Sequence, residues 1–338
     1  MIKRDTLNIL KKLSFSRIYN LVKLYISFSY SRITKSGHIY GSPVALSIEP
    51  TTACNLGCPE CPSGLKQFTR KTGNLKPELN SKIINELSKK LIYINYYFQG
   101  EPFINSHLFD FIAAASSKNI YTSTSTNAHF LTKKNAIKTV ESGLDRLIIS
   151  IDGTTQQTYE SYRINGSLSK VIEGTKNLIA AKKQLKKDTP HVIFQFLVVK
   201  QNEQQIEEAI ALSEKLEVDE IRFKTAQLYD FKNGNPLIPS NDKYSRYKKT
   251  KDGTYVLKNK LLNHCWRMWS SGVVTVDGKL VPCCFDKDAK YQIGDLKNTS
   301  FIAIWKSKPY KSLRKAILLN RKEIDICQNC TEGTKVWS

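Results

Sequence analysis

The chain has 338 residues, 41% of them apolar, which is enough for a sizeable core and about two domains at ~150 residues each. Its 52 lysines and arginines outnumber 30 acidic residues, and the formal charge of +22 favours anionic partners, although the basic residues are spread along the chain. Eight cysteines without a signal-like segment argue against a secreted disulfide scaffold and for the reduced cytosol, and no apolar run approaches the ~20 residues of a spanning helix.

Residues 1–43 precede the first predicted strand and form a basic extension. Apolar residues recur with helical spacing from Leu7 to Phe28, and basic residues such as Lys12 and Lys23 lie between them. The pattern predicts a basic amphipathic helix with two candidate roles. One is peripheral contact of residues 1–35 with an anionic membrane, and the other is packing against the floor of the following domain.

Between residues 44 and 240, apolar strand-like runs alternate with helical patterns, which predicts βαβ units and a parallel sheet. Six strands are predicted at Val44–Glu49, Tyr93–Phe98, Ile120–Thr126, Arg146–Ile151, His191–Val199 and Glu220–Lys224. Five helices are predicted between them at Leu79–Leu91, Asn105–Ser117, Thr132–Ser142, Leu168–Leu185 and Glu203–Lys215. A full barrel of eight such units would leave no chain for the linker at 241–264 and the segment beyond it.

Three cysteines, Cys54, Cys58 and Cys61, follow the first predicted strand with C-x3-C-x2-C spacing. An iron-sulfur cluster used only for electron transfer normally takes four cysteines, so three in one loop suggest that one iron is kept for another molecule. A zinc knuckle or a disulfide pair is the alternative for this loop.

The cysteine loop resembles that of the radical SAM superfamily, in which three cysteines bind a [4Fe-4S] cluster and S-adenosylmethionine (SAM) chelates the fourth iron. The resemblance implies an α/β fold, a partial (β/α)6 TIM-like barrel over residues 44–240, with the reacting centre at the carboxyl ends of its strands. The chain departs from the family at Glu60, where many members carry an aromatic residue that contacts adenine.

The ends of the second and third strands resemble the family's cofactor positions. Phe98-Gln-Gly-Glu-Pro102 is similar to the Gly-Gly-Glu segment, with glutamine in place of the first glycine. The resemblance implies that Gly100 and Glu101 hold the methionine ammonium of SAM through charge-assisted hydrogen bonds, and that Asn127 lines the cofactor cleft. A surface loop acid is the alternative for Glu101, and a simple turn former is the alternative for Asn127.

The fourth strand ends in Ser150-Ile-Asp-Gly153, and strand alternation sends Ser150 and Asp152 to one face of the sheet. The family uses these positions toward the ribose and the methionine carboxylate of SAM. Arg163 matches the arginine that forks onto that carboxylate, since its planar donors suit bidentate pairing. Its spacing from Ser150 is longer than in some relatives, so an exposed helix arginine is the alternative.

The other five cysteines all lie in the last 74 residues. Four of them look like a shortened SPASM, or twitch, module over residues 265–338, which holds one auxiliary [4Fe-4S] cluster through Cys265, Cys283, Cys327 and Cys330. Cys284 is expected to be a small buried residue, because neighbours in a strand point to opposite faces. A zinc ribbon is the alternative for this segment.

The resemblance implies a radical SAM oxidoreductase that reductively cleaves SAM to a 5'-deoxyadenosyl radical, which abstracts hydrogen from a substrate. Twitch-bearing dehydrogenases also carry one auxiliary cluster, so the predicted function is a net two-electron oxidation of a small alcohol or carbohydrate. A radical SAM maturase that modifies a peptide or RNA is the alternative, and a non-enzymatic zinc-binding protein is the third hypothesis.

The expected partners are a small-molecule or peptide substrate and a reductant such as flavodoxin or ferredoxin. Nucleic acid is not expected, because no aromatic-basic binding module is visible. The expected location is the cytoplasm, with peripheral membrane contact as an extension of that hypothesis. Lys224 and Tyr229 follow the sixth strand and are predicted to be catalytic, with Lys224 as a base if burial lowers its pKa. A solvated loop is the alternative for both residues.

Overall fold

A computed structural model describes residues 4–331 of the chain. The ends of the two predicted terminal segments, residues 1–3 and 332–338, lie outside the described part. Within it, no helix is both long and apolar enough to cross a membrane.

One sheet of nine strands organises the molecule, and six of these strands are the predicted ones. They are β1 (Ala45–Ile48), β2 (Tyr93–Asn95), β3 (Tyr121–Thr126), β4 (Arg146–Ser150), β5 (His191–Val198) and β6 (Glu220–Thr225). Each pairs in parallel with the next in chain order. The α/β class and the six parallel strands are therefore confirmed.

The remaining strands come from the C-terminal third of the chain. A separate antiparallel hairpin, β7 (Tyr247–Lys249) and β8 (Tyr255–Leu257), occupies the predicted linker. Beyond it are β9 (Ser271–Val274), β10 (Lys279–Val281) and β11 (Gly294–Asp295). Strand β9 pairs in parallel with β1, so the sheet order is β11-β10-β9-β1-β2-β3-β4-β5-β6. The C-terminal segment thus extends the barrel sheet beyond its first strand.

Five helices follow the predicted pattern, with ends shifted by a few residues. They are α4 (Pro77–Leu87), α5 (Leu108–Ser117), α6 (Lys133–Glu141), α8 (Leu168–Gln184) and α9 (Ile206–Lys215). Two further short helices in this part of the chain, α3 (Pro62–Leu65) and α7 (Gln156–Tyr162), were not predicted. The C-terminal part adds α10 (Arg267–Ser270), α11 (Phe301–Trp305), α12 (Lys308–Asn320) and α13 (Asp325–Gln328). Short 3-10 turns lie at Pro102–Ile104, Glu203–Gln205, Asp242–Tyr244 and Arg321–Glu323.

The second barrel helix, predicted to begin at Asn105, begins three residues later at Leu108. Asn105 is buried, and its amide donates to the carbonyls of Pro50 and Leu75 at 2.7 and 3.2 Å. It therefore ties the loop after β1 to the segment before α4.

Two helices, α1 (Arg4–Leu10) and α2 (Phe15–Thr34), precede the barrel. The buried Arg17 guanidinium donates to the carbonyls of Ser88 and Lys118 at 2.9 and 3.0 Å. These carbonyls lie at the C-terminal ends of α4 and α5, where unpaired carbonyl groups collect and attract a cation. The extension therefore packs on the barrel floor, at the end opposite the strand carboxyl ends.

Candidate active site at the strand ends

A cleft with a volume of about 210 Å³ opens at the carboxyl ends of the parallel strands. Cys54, Cys58 and Cys61 line it from the loop after β1. Gly64 in α3 allows this loop to close tightly, since a Cβ there would lie 2.7 Å from the Cys58 backbone nitrogen. The short spacing of the three cysteines therefore places all three thiols in one loop at the mouth of the barrel.

The chemistry of these thiols fits a positively charged metal centre. Burial raises the pKa of the Cys54 thiol to about 11 and also raises the pKa of Cys58. Cysteine binds metals as the thiolate, and bound iron stabilises that charge where solvent does not. These three side chains would hold the SAM-binding [4Fe-4S] cluster.

Glu101 is the acidic residue of the cleft and is only 2% exposed. Its carboxylate accepts hydrogen bonds from the Asn127 backbone and from the Thr126 hydroxyl, both at 2.7 Å. Burial is the main cause that raises the pKa of Glu101 to about 7. A fixed, desolvated carboxylate of this kind is suited to an ammonium partner, and the surface-acid alternative does not hold.

Gly100 and Asn127 shape the cleft beside this carboxylate. Gly100 has a φ of 72°, and a Cβ at this position would lie 2.4 Å from the Thr51 carbonyl oxygen. The backbone of this segment thus lies against the loop that leads into Cys54. The Asn127 amide donates to Asn55 at 2.8 Å, so its side chain also steadies the cysteine loop and is more than a turn former.

Ser150, Asp152 and Arg163 are brought together, but Asp152 does not face the cleft. Its fully buried carboxylate accepts from the Leu197 backbone at 2.7 Å and pairs with the Arg163 guanidinium. Ser150 and Arg163 do line the cleft, and Arg163 Nη1 lies 3.7 Å from Cys58 Sγ. Asp152 is therefore placed to orient Arg163, which differs from the predicted direct contact with SAM.

The charge state of Arg163 follows from this pairing. Burial is the largest single effect and opposes the charge of Arg163. The Asp152 carboxylate, together with Cys58, Tyr159 and Tyr162, outweighs it and keeps the pKa of Arg163 well above its ordinary value. The side chain is only 16% exposed, so the exposed-helix alternative does not hold. A guanidinium held in this way would face the carboxylate of a bound SAM.

Lys224 and Tyr229, the predicted catalytic pair, lie outside the cleft lining. Lys224 is an exposed residue. Even so, the protein atoms around its amine displace solvent and lower its pKa, and the positive charge of Arg222 lowers it further. Tyr229 is 57% exposed, and its backbone nitrogen donates to the Glu60 carboxylate at 2.9 Å. The residue that departs from the family pattern thus ties the loop after β6 to the cysteine loop.

Several polar side chains of the cleft were not predicted from the sequence. They include Ser125, Gln195 and Lys287. Gln195 pairs in register with Ser150 across β4 and β5, and strand alternation was a signal that could have found it. Lys287 comes from the C-terminal segment, so no local pattern points to it.

A buried ion pair connects this segment to the cysteine loop. The Arg70 guanidinium donates to both oxygens of the fully buried Glu49 carboxylate, and its Nε donates to the Lys287 carbonyl at 2.9 Å. The Val276 backbone also donates to Glu49 at 3.1 Å. Residues that follow β1, β9 and β10 are thereby held in one polar network.

The four C-terminal cysteines predicted as ligands come from separate elements. Cys265 precedes α10, Cys283 follows β10, Cys327 lies in α13 and Cys330 follows it. Burial raises the pKa of Cys327, and the Arg321 guanidinium reaches Cys330 Sγ at 3.3 Å. Across residues 4–331, no three His, Cys, Asp or Glu side chains surround one point closely enough to bind a single metal ion. An iron-sulfur cluster does not need such a point, because each cysteine binds a different iron atom of the cluster.

The expectation for Cys284 needs correction. Strand β10 ends at Val281, so Cys283 and Cys284 lie in a turn where strand alternation does not apply. Their thiols interact, and this contact is the main cause that raises the pKa of Cys283. Cys284 is only half-buried, and Arg267 Nη1 lies 3.8 Å from its sulfur.

A parallel sheet with three cysteines in one loop at its carboxyl edge is the arrangement expected of a partial (β/α) barrel enzyme with an iron-sulfur cluster. Residues 48–213 match the Radical SAM superfamily, and residues 265–331 match SPASM, an iron-sulfur cluster-binding domain. The chain belongs to the radical SAM superfamily and carries a SPASM domain at its C-terminal end. The predicted family and cofactors, namely SAM, its [4Fe-4S] cluster and an auxiliary cluster, are confirmed, and the zinc alternatives lose their support.

The curated relatives are enzymes named for peptide substrates or maturation. A PqqA peptide cyclase of Bradyrhizobium diazoefficiens is 27% identical over 203 residues, which cover 60% of this chain and 52% of the relative. The mycofactocin maturase MftC of Mycobacterium tuberculosis is 28% identical over 140 residues, which cover 41% of this chain and 35% of the relative. The chain thus spans about half or less of the curated relatives that it matches.

Solved structures share the fold at low sequence identity. SuiB of Streptococcus suis, bound to S-adenosylmethionine, superposes with a TM-score of 0.63 and 15% identity over 90% of this chain and 75% of SuiB. BtrN in complex with AdoMet and 2-DOIA superposes with a TM-score of 0.53 and 18% identity over 87% of this chain and 95% of BtrN. At these identities the likeness concerns architecture alone.

Proposed function

We propose that this radical SAM enzyme modifies a peptide substrate. The observation that carries the proposal is the sequence likeness to a PqqA peptide cyclase and to the maturase MftC, which are named for peptide modification or maturation. The comparisons favour this alternative over the oxidation of a small alcohol or carbohydrate, which was the main prediction from the sequence.

A second cleft beside the first supports a substrate of extended shape. It has a volume of about 640 Å³, and both the barrel and the SPASM segment line it. Tyr229 and Phe231 contribute from the loop after β6, while Phe285 and Asp288 contribute from the loop after β10. Lys287 lines both clefts, so the two clefts adjoin at this residue. An extended peptide would fit such a groove with one residue at the reacting centre.

The cluster and SAM supply, when bound, a carbon radical that removes a hydrogen atom from the substrate. The residues of the chain bind and orient. Glu101 would pair with the methionine ammonium, and Arg163, oriented by Asp152, would pair with the carboxylate. The Glu60 contact to Tyr229 holds the loop after β6 close to the cleft. The reductant stays a prediction, with flavodoxin or ferredoxin expected.

The test is anaerobic reconstitution of the full chain with dithionite, SAM and synthetic peptides that match small open reading frames beside its gene. The expected result is 5'-deoxyadenosine together with a peptide that has lost hydrogen atoms, measured by mass spectrometry. Cys58→Ala is the matched control and should give neither product. An unchanged peptide, with oxidation of an added amino-cyclitol instead, would overturn the proposal.

Small-alcohol oxidation remains a second candidate because of one specific observation. Only four C-terminal cysteines are predicted to bind an auxiliary cluster, which agrees with the single auxiliary cluster of twitch-bearing dehydrogenases. The same assay distinguishes the two, because a small alcohol and a peptide give products of very different mass.

A further inference from the structure

The outward face of α2 carries a continuous stripe of large apolar side chains. Phe15 and Ile33, at its two ends, are 86% and 82% exposed. The stripe consists of Phe15, Ile18, Tyr19, Val22, Tyr25, Ile26, Tyr30 and Ile33, each at least 44% exposed. Single exposed apolar residues are common on proteins, but contiguous patches mark interaction sites.

The inward face of the same helix is unusually polar. Six of its residues are buried against the protein, and four of these are polar, namely Arg17, Asn20, Ser27 and Ser31; the other two are Leu24 and Phe28. Asn20 exchanges two hydrogen bonds with the Ser42 backbone at 2.8 and 2.9 Å. A surface helix normally turns its apolar side to the core, so packing on the barrel floor does not account for the stripe. The stripe is therefore a candidate docking surface.

Charge around the stripe favours an anionic surface. Lys23 lies on one flank and Arg32 on the other, by the helical period of 100° per residue. No acidic residue occurs between Asp5 and Glu49. A second copy of the chain would set these cationic flanks against each other, which opposes self-association through this face.

Two further features lie at the ends of α2. At its C-terminal end, a groove of about 480 Å³ is lined by Arg32, Lys35 and His264, and its positive charge suits an anionic headgroup. At its other end, Leu7 and Leu10 of α1 are 43% and 48% exposed. A helix of 20 residues is about 30 Å long and can lie flat in the interfacial region of a bilayer, where tyrosines are enriched.

We propose that α2 docks the protein on an anionic lipid membrane, parallel to the surface and with its apolar stripe in the headgroup region. Helices with one strongly apolar face and basic flanks bind lipid in this way without crossing it. Because α2 covers the barrel floor, the catalytic cleft faces the aqueous side. The proposal does not depend on which substrate the enzyme modifies.

The test is flotation of the full chain with vesicles of phosphatidylglycerol and phosphatidylethanolamine, compared with neutral phosphatidylcholine vesicles. The wild type should float with the anionic vesicles and lose most of this binding in high salt. Phe15→Ser/Ile33→Ser should lower the partition coefficient at least tenfold. The matched control, Val256→Ser/Leu319→Ser, removes two exposed apolar residues elsewhere and should bind like the wild type.

Circular dichroism and thermal unfolding of both double variants check that each remains folded. Two results would overturn the proposal. One is a wild-type protein that stays with the soluble fraction at every vesicle composition. The other is a stripe variant that floats normally but changes from dimer to monomer in sedimentation, because a second copy would then cover α2.

Discussion

The two cysteine sets of this protein are assembled in opposite ways. Cys54, Cys58 and Cys61 lie in one short loop, so their spacing in the sequence already places them close together. The C-terminal set comes from Cys265 through Cys330 and depends on the packing of four separate elements. A local set is readable from spacing, whereas a dispersed set exists only once the chain has folded.

The two regions are nevertheless physically joined. Strand β9 pairs with β1, the strand that leads into the first cysteine loop. The Glu49–Arg70 pair and the Lys287 carbonyl tie the turn beyond β10 to the same loop. We therefore expect the two cysteine sets to have different chemical roles, although the same sheet and the same buried ion pair support both.

The largest expected effect separates the two sets chemically. Cys58→Ala should reduce SAM cleavage on the order of a thousandfold, because the loop then lacks one of three cluster ligands. Cys327→Ala should keep SAM cleavage but lose turnover of the substrate, and each variant should retain about four of about eight irons. Iron analysis and chromatography of 5'-deoxyadenosine measure both. Cys284→Ala is the control and should retain both clusters, and equal loss of SAM cleavage in the two variants would contradict the division of roles.

The shared framework should fail when its ion pair is broken. Arg70→Met leaves the Glu49 carboxylate buried without its partner, which should cost about 3–5 kcal/mol in the free energy of unfolding. Urea unfolding followed by circular dichroism measures the loss. Lys71→Met, at an exposed neighbouring position, should change the unfolding free energy little. A similar stability for both variants would show that the link between the regions is not stabilising.

A smaller effect is expected where one buried residue positions another. Asp152→Asn should raise the KM for SAM by ~10–100-fold, because Arg163 loses the carboxylate that orients it. Steady-state kinetics of SAM cleavage measure the change. Asp145→Asn is a matched control, since Asp145 is equally buried but lies at the barrel floor. If both variants shift KM alike, the effect is general destabilisation and not orientation.

The smallest expected effect is a pH dependence of SAM affinity, which arises at the cleft around Cys54, Cys58 and Cys61 and not at the C-terminal cysteines. The pKa of Glu101 is raised to about 7, so the neutral acid predominates at pH 6 and the carboxylate at pH 8. Only the carboxylate attracts an ammonium strongly, so SAM affinity should rise roughly tenfold from pH 6 to pH 8. Equilibrium dialysis at each pH measures it. The Glu101→Gln variant should bind SAM weakly with a flatter profile, and an unchanged slope would assign the titration to another group.

Much of the barrel was predictable because its signals are local. All six strands and the loop of Cys54 to Cys61 follow from short apolar runs and spacing, and Glu101 and Arg163 follow from segments next to strand ends. The substrate class was harder to predict, because the number of auxiliary cysteines favours a small alcohol whereas the sequence relatives favour a peptide. The cysteines specify the redox centres and do not specify the shape of the cleft.

Features that depend on long-range contacts escaped prediction. The pairing of β9 with β1 joins residues far apart in the chain, and Lys287 reaches the cleft only through that pairing. Asp152 was placed on the correct strand end, but its neighbours decided that it faces Arg163. The helical pattern of α2 was evident, yet only the packed structure distinguishes its polar inward face from its apolar outward face.

The parallel pairing of β1 with β9 has a consequence for electron movement. The strands that lead into Cys54 and Cys283, β1 and β10, belong to one hydrogen-bonded sheet, so folding of the chain sets the distance between these two cysteines. Electron tunnelling rates fall steeply with distance, so a fixed distance between the two clusters would also fix the rate of electron exchange between them. We therefore expect turnover to be controlled by access to the cleft and not by a hinge between the clusters.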